Sequence, residues 1–282
     1  MLSALSAEAL KLSRHKATWF LVWIYPVGLL VLLLLGMAID SMQPSAPSRP
    51  ESAASWISET AFIWLVPTAG FGRYLIAAYL AVAIAGEYSW NTWKLVVPHR
   101  SRTQLLAAKL AVVSALLYVA FLAAAAITVS MIWIWDVATG DPIPAGVTLA
   151  AIFKAHALAA ANSVPPFLYT LAFASLAAVL TRSMIATLVI ALFVTAESTF
   201  VLIAPFLYGR MPGLVSTAVH VLPGYHIHNI ESWITEGSAR VAMLAPGVSV
   251  TLPWQTSAAV LAAWTLALGT LAFLAFRRQD IN

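Results

Sequence analysis

Three histidines and a glutamate lie close together toward the carboxyl end of the sequence, and together they could bind a metal ion. They are His220, His226, His228 and Glu231. Imidazole and carboxylate ligands suit zinc or copper. Spacing within a loop fixes no ligand geometry, however, and the sequence lacks the H-E-x-x-H pattern that holds two histidines on one helix face. We therefore predict no metal site. If the chain did bind a metal ion, this group would be the place.

Two opposite charges, Arg73 and Glu197, each interrupt a long apolar stretch of the sequence. A charge in such a stretch is costly, and it usually has a partner or a function. If the two residues pair, they either lock two helices together or line a path for a solute. Otherwise, Arg73 extends to the nearest polar surface and Glu197 faces a neighbouring polar group.

The most polar tract between any two apolar stretches is EYSWNTWKLVVPHRSRTQLLAAK, residues 87–109. It begins at a carboxylate, ends at a lysine and contains a proline that would interrupt a helix. Such a charged helix-turn-helix segment offers a compact surface to a partner. The alternative is that Glu87 and Lys109 are only the water-facing ends of two helices.

The composition of the chain places these residues in a membrane protein. Of 282 residues, 61% are hydrophobic and 9% are charged, and the mean hydropathy is +0.88. A soluble domain needs about a quarter of its residues charged to cover its surface. The absence of cysteine removes disulfides and thiolate sites. The basic residues are spread among many loops, which gives no support for nucleic-acid binding.

The apolar stretches predict an all-α polytopic membrane protein with a single transmembrane domain over residues 1–282. A bilayer span needs about 20 apolar residues. An amphipathic interfacial helix is predicted over 1–17, with Leu2, Leu5, Ala9 and Leu12 on its apolar face. Short surface helices on the outer side are predicted over 209–253. The six predicted spans are 19–39, 62–86, 110–135, 165–180, 184–208 and 254–276.

The basic residues set the predicted orientation. Ten of the 15 lysines and arginines lie in one set of loops, which places both termini and residues 87–109 in the cytoplasm. Arg73 and Glu197 then each lie thirteen residues from the cytoplasmic end of a span. At 1.5 Å per residue, both are about 20 Å above the inner face, so they could pair at one depth.

The order of residues in the 87–109 tract resembles that of permease subunits of type-2 ABC transporters. In that family the second span ends in a glutamate, followed by Gly-Thr, a basic residue and Pro-x-Ser-Arg before a lysine. The counterparts here are Glu87, Asn91-Thr92, Lys94, Pro98, Ser101-Arg102 and Lys109. Asn91 replaces the usual glycine, and one residue is added between Pro98 and Ser101. The basic start, the six-span layout and the Arg-Arg-x-Asp-Ile ending are also similar.

The resemblance implies a subunit of the bacterial inner membrane that is not itself an enzyme. It would pair with a second permease chain, identical or related, and sit on two ATP-binding subunits. The 87–109 segment would be the coupling helix, and export would be the direction of transport. The chain contains no G-x-x-x-x-G-K-[ST] motif, so ATP and Mg²⁺ would be bound by the partner subunit and no cofactor by this chain.

Two other classes of function stay open on the sequence alone. A secondary transporter or channel working by itself would use Arg73 and Glu197 as its ion or proton site. A membrane-embedded enzyme would use the histidine group on a lipid-linked substrate, although the spans lack a paired carboxylate or a nucleophile-base arrangement. A secondary transporter or channel working by itself has no use for a coupling segment.

Overall fold

The amino-terminal part of the chain forms a surface helix followed by a broken span. In the computed structural model, α1 is Leu2–Ser13, α2 is Lys16–Leu21 and α3 is Ile24–Met42. His15 caps α2, because its Nδ1 accepts from the Ala17 amide at 3.1 Å. The stretch Lys16–Met42 is long and apolar enough to cross a membrane. The structure describes residues 2–42, 52–90, 92–96 and 101–279.

The second predicted span, 62–86, is less regular than a single helix. The chain first forms α4 over Ala53–Thr60 and a 3₁₀ turn over Phe62–Leu65. Helix α5 then begins at Gly70, in Gly70–Leu80, and continues through a π-helical segment, Ala81–Ala85. The prediction of a helix from residue 62 was therefore wrong at its start, where the apolar composition did not reveal the turn.

The described residues of the charged tract that follows are mostly helical. Helix α6 is Gly86–Ser89, α7 is Trp93–Val96 and α8 is Arg102–Thr139. Helix α8 begins where the Ser101 hydroxyl accepts from the Gln104 amide, and it ends at Gly140, whose φ of 78° is left-handed. Residues 102–109 are thus the first two turns of the third span rather than part of a loop.

The fourth predicted span begins too late. Helix α9 covers Leu149–Thr181 and runs through Pro165 and Pro166 instead of beginning there. A proline in a helix removes a backbone hydrogen bond and favours a kink, so the sequence suggested a helix start. Arg182, with φ of 54°, ends α9, and α10 follows over Met184–Tyr208.

The segment before the last span contains strands as well as helices. Helices α11, Pro212–Val221, and α12, Pro223–Thr235, precede an antiparallel hairpin of β1, Ala242–Ala245, and β2, Val248–Val250. The prediction of helices alone over 209–253 was wrong here. The Pro-Gly pair between the strands is a turn signal, and Gly247 has the positive φ of 77° that such turns require. The last helix, α13, is Trp254–Arg278.

Helix α9 lies at the centre of the bundle, in contact with α5, α10 and α13. The buried positions of these helices are rich in alanine, and large apolar side chains such as Leu192, Phe206 and Leu266 are exposed on the outside. Small residues let helices approach closely in a membrane, where lipid covers the outer side chains. Four helical stretches in the described residues meet the length and hydropathy of a span: Lys16–Met42, Arg102–Thr139, Leu149–Thr181 and Trp254–Arg278. The count of six spans stays a prediction.

Candidate functional site

Four charged side chains meet where α1, α6 and α8 come together. The Lys109 Nζ is 2.8 Å from the Glu8 Oε2 and 2.8 Å from the Glu87 Oε1. The Lys11 Nζ is 2.5 Å from the same oxygen of Glu87. We call Glu8, Lys11, Glu87 and Lys109 the ionic cluster. It joins the amino-terminal helix, the end of the second predicted span and the start of the third through charge-assisted hydrogen bonds.

The ionic cluster is largely removed from solvent. The side chain of Lys109 is 0% exposed, that of Glu87 is 4% exposed and that of Glu8 is 9% exposed. Burial raises the pKa of Glu87, but Lys109, Lys11 and the Thr92 hydroxyl together lower it to about 2. Glu87 is therefore ionised at neutral pH, and the buried Lys109 has two carboxylate partners.

Helix α1 presents a different face to the bundle from the one that the sequence suggested. Its buried residues are Ala4, Glu8 and Leu12, which follow one another at intervals of four, and Leu2 is 84% exposed. The apolar pattern did not reveal this face because its central residue is a carboxylate whose partner lies in α8. Glu8 and Lys11 are thus site residues that the sequence analysis missed.

Thr92 and Trp93 of the tract also contact the cluster. The Thr92 hydroxyl donates to Glu87, and the Trp93 ring lies 5.4 Å from the Lys109 Nζ and packs at a tilt against Phe276 of α13. Lys94 is exposed. Pro98 lies outside the described residues, so its predicted role stays a prediction. An exposed basic residue beside a buried cluster suits docking of an acidic partner surface.

Arg102 connects the start of α8 to the end of α13. Its guanidinium donates to the backbone carbonyls of Arg277, at 3.0 Å, and of Gln279. The Gln279 side chain accepts from the Tyr88 hydroxyl at 2.5 Å and donates to the Val179 carbonyl at 2.5 Å. The segment after the second predicted span is therefore linked to the start of α8 and to the carboxyl ends of α9 and α13. Tyr88 and Gln279 carried no signal in the sequence.

The structure also brings Arg73 and Glu197 together inside the bundle. The Arg73 guanidinium donates to the Glu197 carboxylate, with side-chain exposures of 0% and 10%. Its Nε donates to the Thr170 hydroxyl at 3.2 Å, and the Tyr169 hydroxyl donates to Glu197 at 2.9 Å. The pair thus links α5, α9 and α10 through satisfied hydrogen bonds. This arrangement fits a lock between helices, and a role in a solute path stays a prediction.

Gly72, next to Arg73, lies against the turn that precedes α5. A Cβ at this position would be 2.1 Å from the Val66 carbonyl oxygen, which belongs to the backbone. We expect Gly72→Ala to lower the free energy of unfolding by about 1–3 kcal/mol, because the turn has to move to make room. Thermal unfolding in detergent checks this expectation.

Gly36 in α3 provides the matched control, because a Cβ there would meet nothing within 4 Å. Gly36→Ala should leave stability unchanged or raise it by up to about 1 kcal/mol, since alanine favours a helix over glycine. Equal unfolding temperatures for the two variants would show that the turn before α5 adapts without cost.

The histidine group forms internal contacts instead of a shared ligand set. The His226 Nε2 is 2.9 Å from the His220 carbonyl, and its Nδ1 is 2.9 Å from the Ser257 hydroxyl. The His220 carbonyl accepts from the Nε2–H, so Nε2 carries the proton of the neutral ring and Nδ1 accepts from the Ser257 hydroxyl. Burial also lowers the pKa of His226. His228 pairs with Glu231 at 3.2 Å. Within the part of the chain that the structure describes, no three such side chains are grouped for a metal ion.

Comparison with known protein families gives one match of direct relevance. The family described as "ABC-2 family transporter protein" matches residues 4–198. The matched region begins in α1 and ends in α10, so it contains the ionic cluster, the 87–109 tract and the Arg73–Glu197 pair. No curated protein matches the chain.

Proposed function

The chain belongs to the ABC-2 family of transporter proteins, and we propose that it is the permease subunit of an ATP-driven exporter. In this proposal it forms the translocation path together with a second permease chain, identical or related, in the bacterial inner membrane. Both termini face the cytoplasm, where two copies of an ATP-binding subunit dock. ATP and Mg²⁺ are bound and ATP is hydrolysed by that partner, and this chain holds neither.

The ionic cluster is the observation that carries the proposal. An ATP-driven permease has to pass a displacement of its cytoplasmic surface to its spans. The buried contacts of Lys109 with Glu8 and Glu87 support this, because they tie α1 and the end of the second predicted span to α8. Packed elements with such contacts move together rather than bend.

The mechanism is a shift in population between two arrangements of the spans. The ATP-binding subunits close when they bind ATP and displace the 87–109 segment, whose residues Glu87, Thr92, Lys94, Pro98, Arg102 and Lys109 form the coupling site. The displacement reaches α8 through Lys109 and α13 through Arg102. A ligand shifts such an equilibrium only by its difference in affinity for the two states, so ATP favours the arrangement in which its subunits are closed.

The test is purification of the tagged chain from its native membrane and identification of the proteins that remain bound in stoichiometric amount. We expect an ATP-binding subunit, and Lys94→Glu should reduce its retention at least tenfold, because a reversed charge at a docking surface costs about 1.4 kcal/mol or more. Lys154→Glu is the control, since Lys154 is exposed near the opposite end of the bundle. Its retention should match that of the wild type.

Two outcomes would overturn the proposal. If both variants lose the ATP-binding subunit to the same extent, the subunit binds elsewhere or any reversed charge weakens its binding. A chain that purifies alone and moves solute without ATP would instead be a secondary transporter or channel. Arg73 and Glu197 would then be its ion site. If the chain were a membrane-embedded enzyme, the purified chain alone would form a reaction product.

A further inference from the structure

A groove of about 400 Å³ lies between the start of α8 and the carboxyl half of α13. It is separate from the ionic cluster. It exists because α13 packs mainly along α9 and approaches α8 less closely. The residues that line it are Thr103, Thr265, Leu266, Gly269, Thr270, Phe273, Leu274 and Arg277.

The α13 wall of the groove is long enough for one hydrocarbon chain of a lipid. Its α13 residues run along one face of the helix from Thr265 to Arg277. At 1.5 Å per residue, this face is about 18 Å long. One leaflet of the hydrocarbon core is about 15 Å thick. Leu266, Phe273 and Leu274 give this length an apolar wall, so an extended acyl chain can lie along it.

The charge at one end of the groove selects the headgroup. Arg277 lines the groove where α13 ends, Arg278 follows it in the sequence, and Arg102 precedes the lining residue Thr103. Arg102 donates to the Arg277 carbonyl, so the three arginines belong to one end of the bundle, which the basic loops assign to the cytoplasm. Basic pockets between spans on that side attract anionic headgroups.

We propose that this groove binds an anionic phospholipid, with an acyl chain along α13 and the phosphate on the Arg277 guanidinium. The bound lipid fills the space between α8 and α13, next to the hydrogen bond from Arg102 to the Arg277 carbonyl. The lipid is thus a structural ligand of the cytoplasmic half of the bundle, and it is neither cargo nor a source of energy.

Native mass spectrometry of the purified protein, with phosphatidylglycerol and phosphatidylcholine of identical chains, tests this proposal. We expect one phosphatidylglycerol to be retained in preference to phosphatidylcholine. Arg277→Gln should weaken that retention about fivefold, which is the contribution of one basic residue near a lipid surface. Arg278→Gln removes the same charge from a residue outside the groove lining and should have a smaller effect. Thr270→Phe should also displace the lipid, because it fills the groove.

Three results would overturn the proposal. Equal weakening by Arg277→Gln and Arg278→Gln would indicate attraction to charge alone. Equal binding of glycerol phosphate without acyl chains would indicate a simple anion site. A groove covered by a second copy of the chain would appear as a dimer that Thr270→Phe dissociates and lipid does not affect. Normal unfolding temperatures show that each variant folds.

Discussion

Replacement of Lys109 by methionine is expected to lower the free energy of unfolding by about 3–5 kcal/mol, the usual cost of removing one partner from a buried ion pair. Methionine fills a similar volume, so packing changes little. The loss arises because Glu8 and Glu87 stay buried and close together without the ammonium that contacts both. Reversible unfolding in detergent, followed by tryptophan fluorescence or circular dichroism, measures it.

Two further variants separate this effect from a general effect of lost charge. Lys94→Met removes an exposed lysine of the same tract and should change stability by less than about 0.5 kcal/mol. Addition of Glu8→Gln and Glu87→Gln to Lys109→Met should restore part of the stability, since neutral side chains replace the unpaired carboxylates. If Lys109→Met and Lys94→Met unfold alike, the ionic cluster does not hold α1 to the bundle.

The sequence predicted those parts of the fold that depend on local composition or on counting along a helix. Runs of apolar residues predicted helices over 110–135, 184–208 and 254–276, and each lies within one helix of the structure. Arg73 and Glu197 were placed at one depth by counting residues, and the structure pairs them. A helix has a fixed rise, so depth in a membrane can be derived from sequence position.

Other features depend on contacts between distant residues and had no local signal. Glu8 is on the buried face of α1 only because Lys109, far along the chain, neutralises it. Helix α9 continues through Pro165 and Pro166 because it packs against α5, α10 and α13, which outweighs the helix propensity of two residues. The Pro-Gly pair between β1 and β2 was a local signal for a turn. The prediction was still wrong there, because the apolar residues on either side of the pair were assigned to helices.

Replacement of Arg73 by methionine should lower the free energy of unfolding by about 3–5 kcal/mol, as much as replacement of Lys109. Glu197 would then keep its hydrogen bond from Tyr169 but lose the guanidinium that neutralises it. An unpaired carboxylate deep among spans is among the most costly groups in a membrane protein. Thermal unfolding and the yield of folded protein in the membrane fraction measure the loss. Glu197→Gln should cost less, because the amide can still accept from Arg73.

Exchange of the two charges tests whether pairing itself, rather than each residue alone, holds α5 to α10. Arg73→Glu and Glu197→Arg should each be strongly destabilising, and the double variant should recover part of the loss. Recovery stays incomplete because Thr170 and Tyr169 are oriented for the present arrangement, in which one accepts from Arg73 and the other donates to Glu197. If the double variant folds but solute transport stays lost, the position of the charges matters beyond stability, as expected for a solute path. Absence of any recovery would show that the two residues act independently, each through its own neighbours.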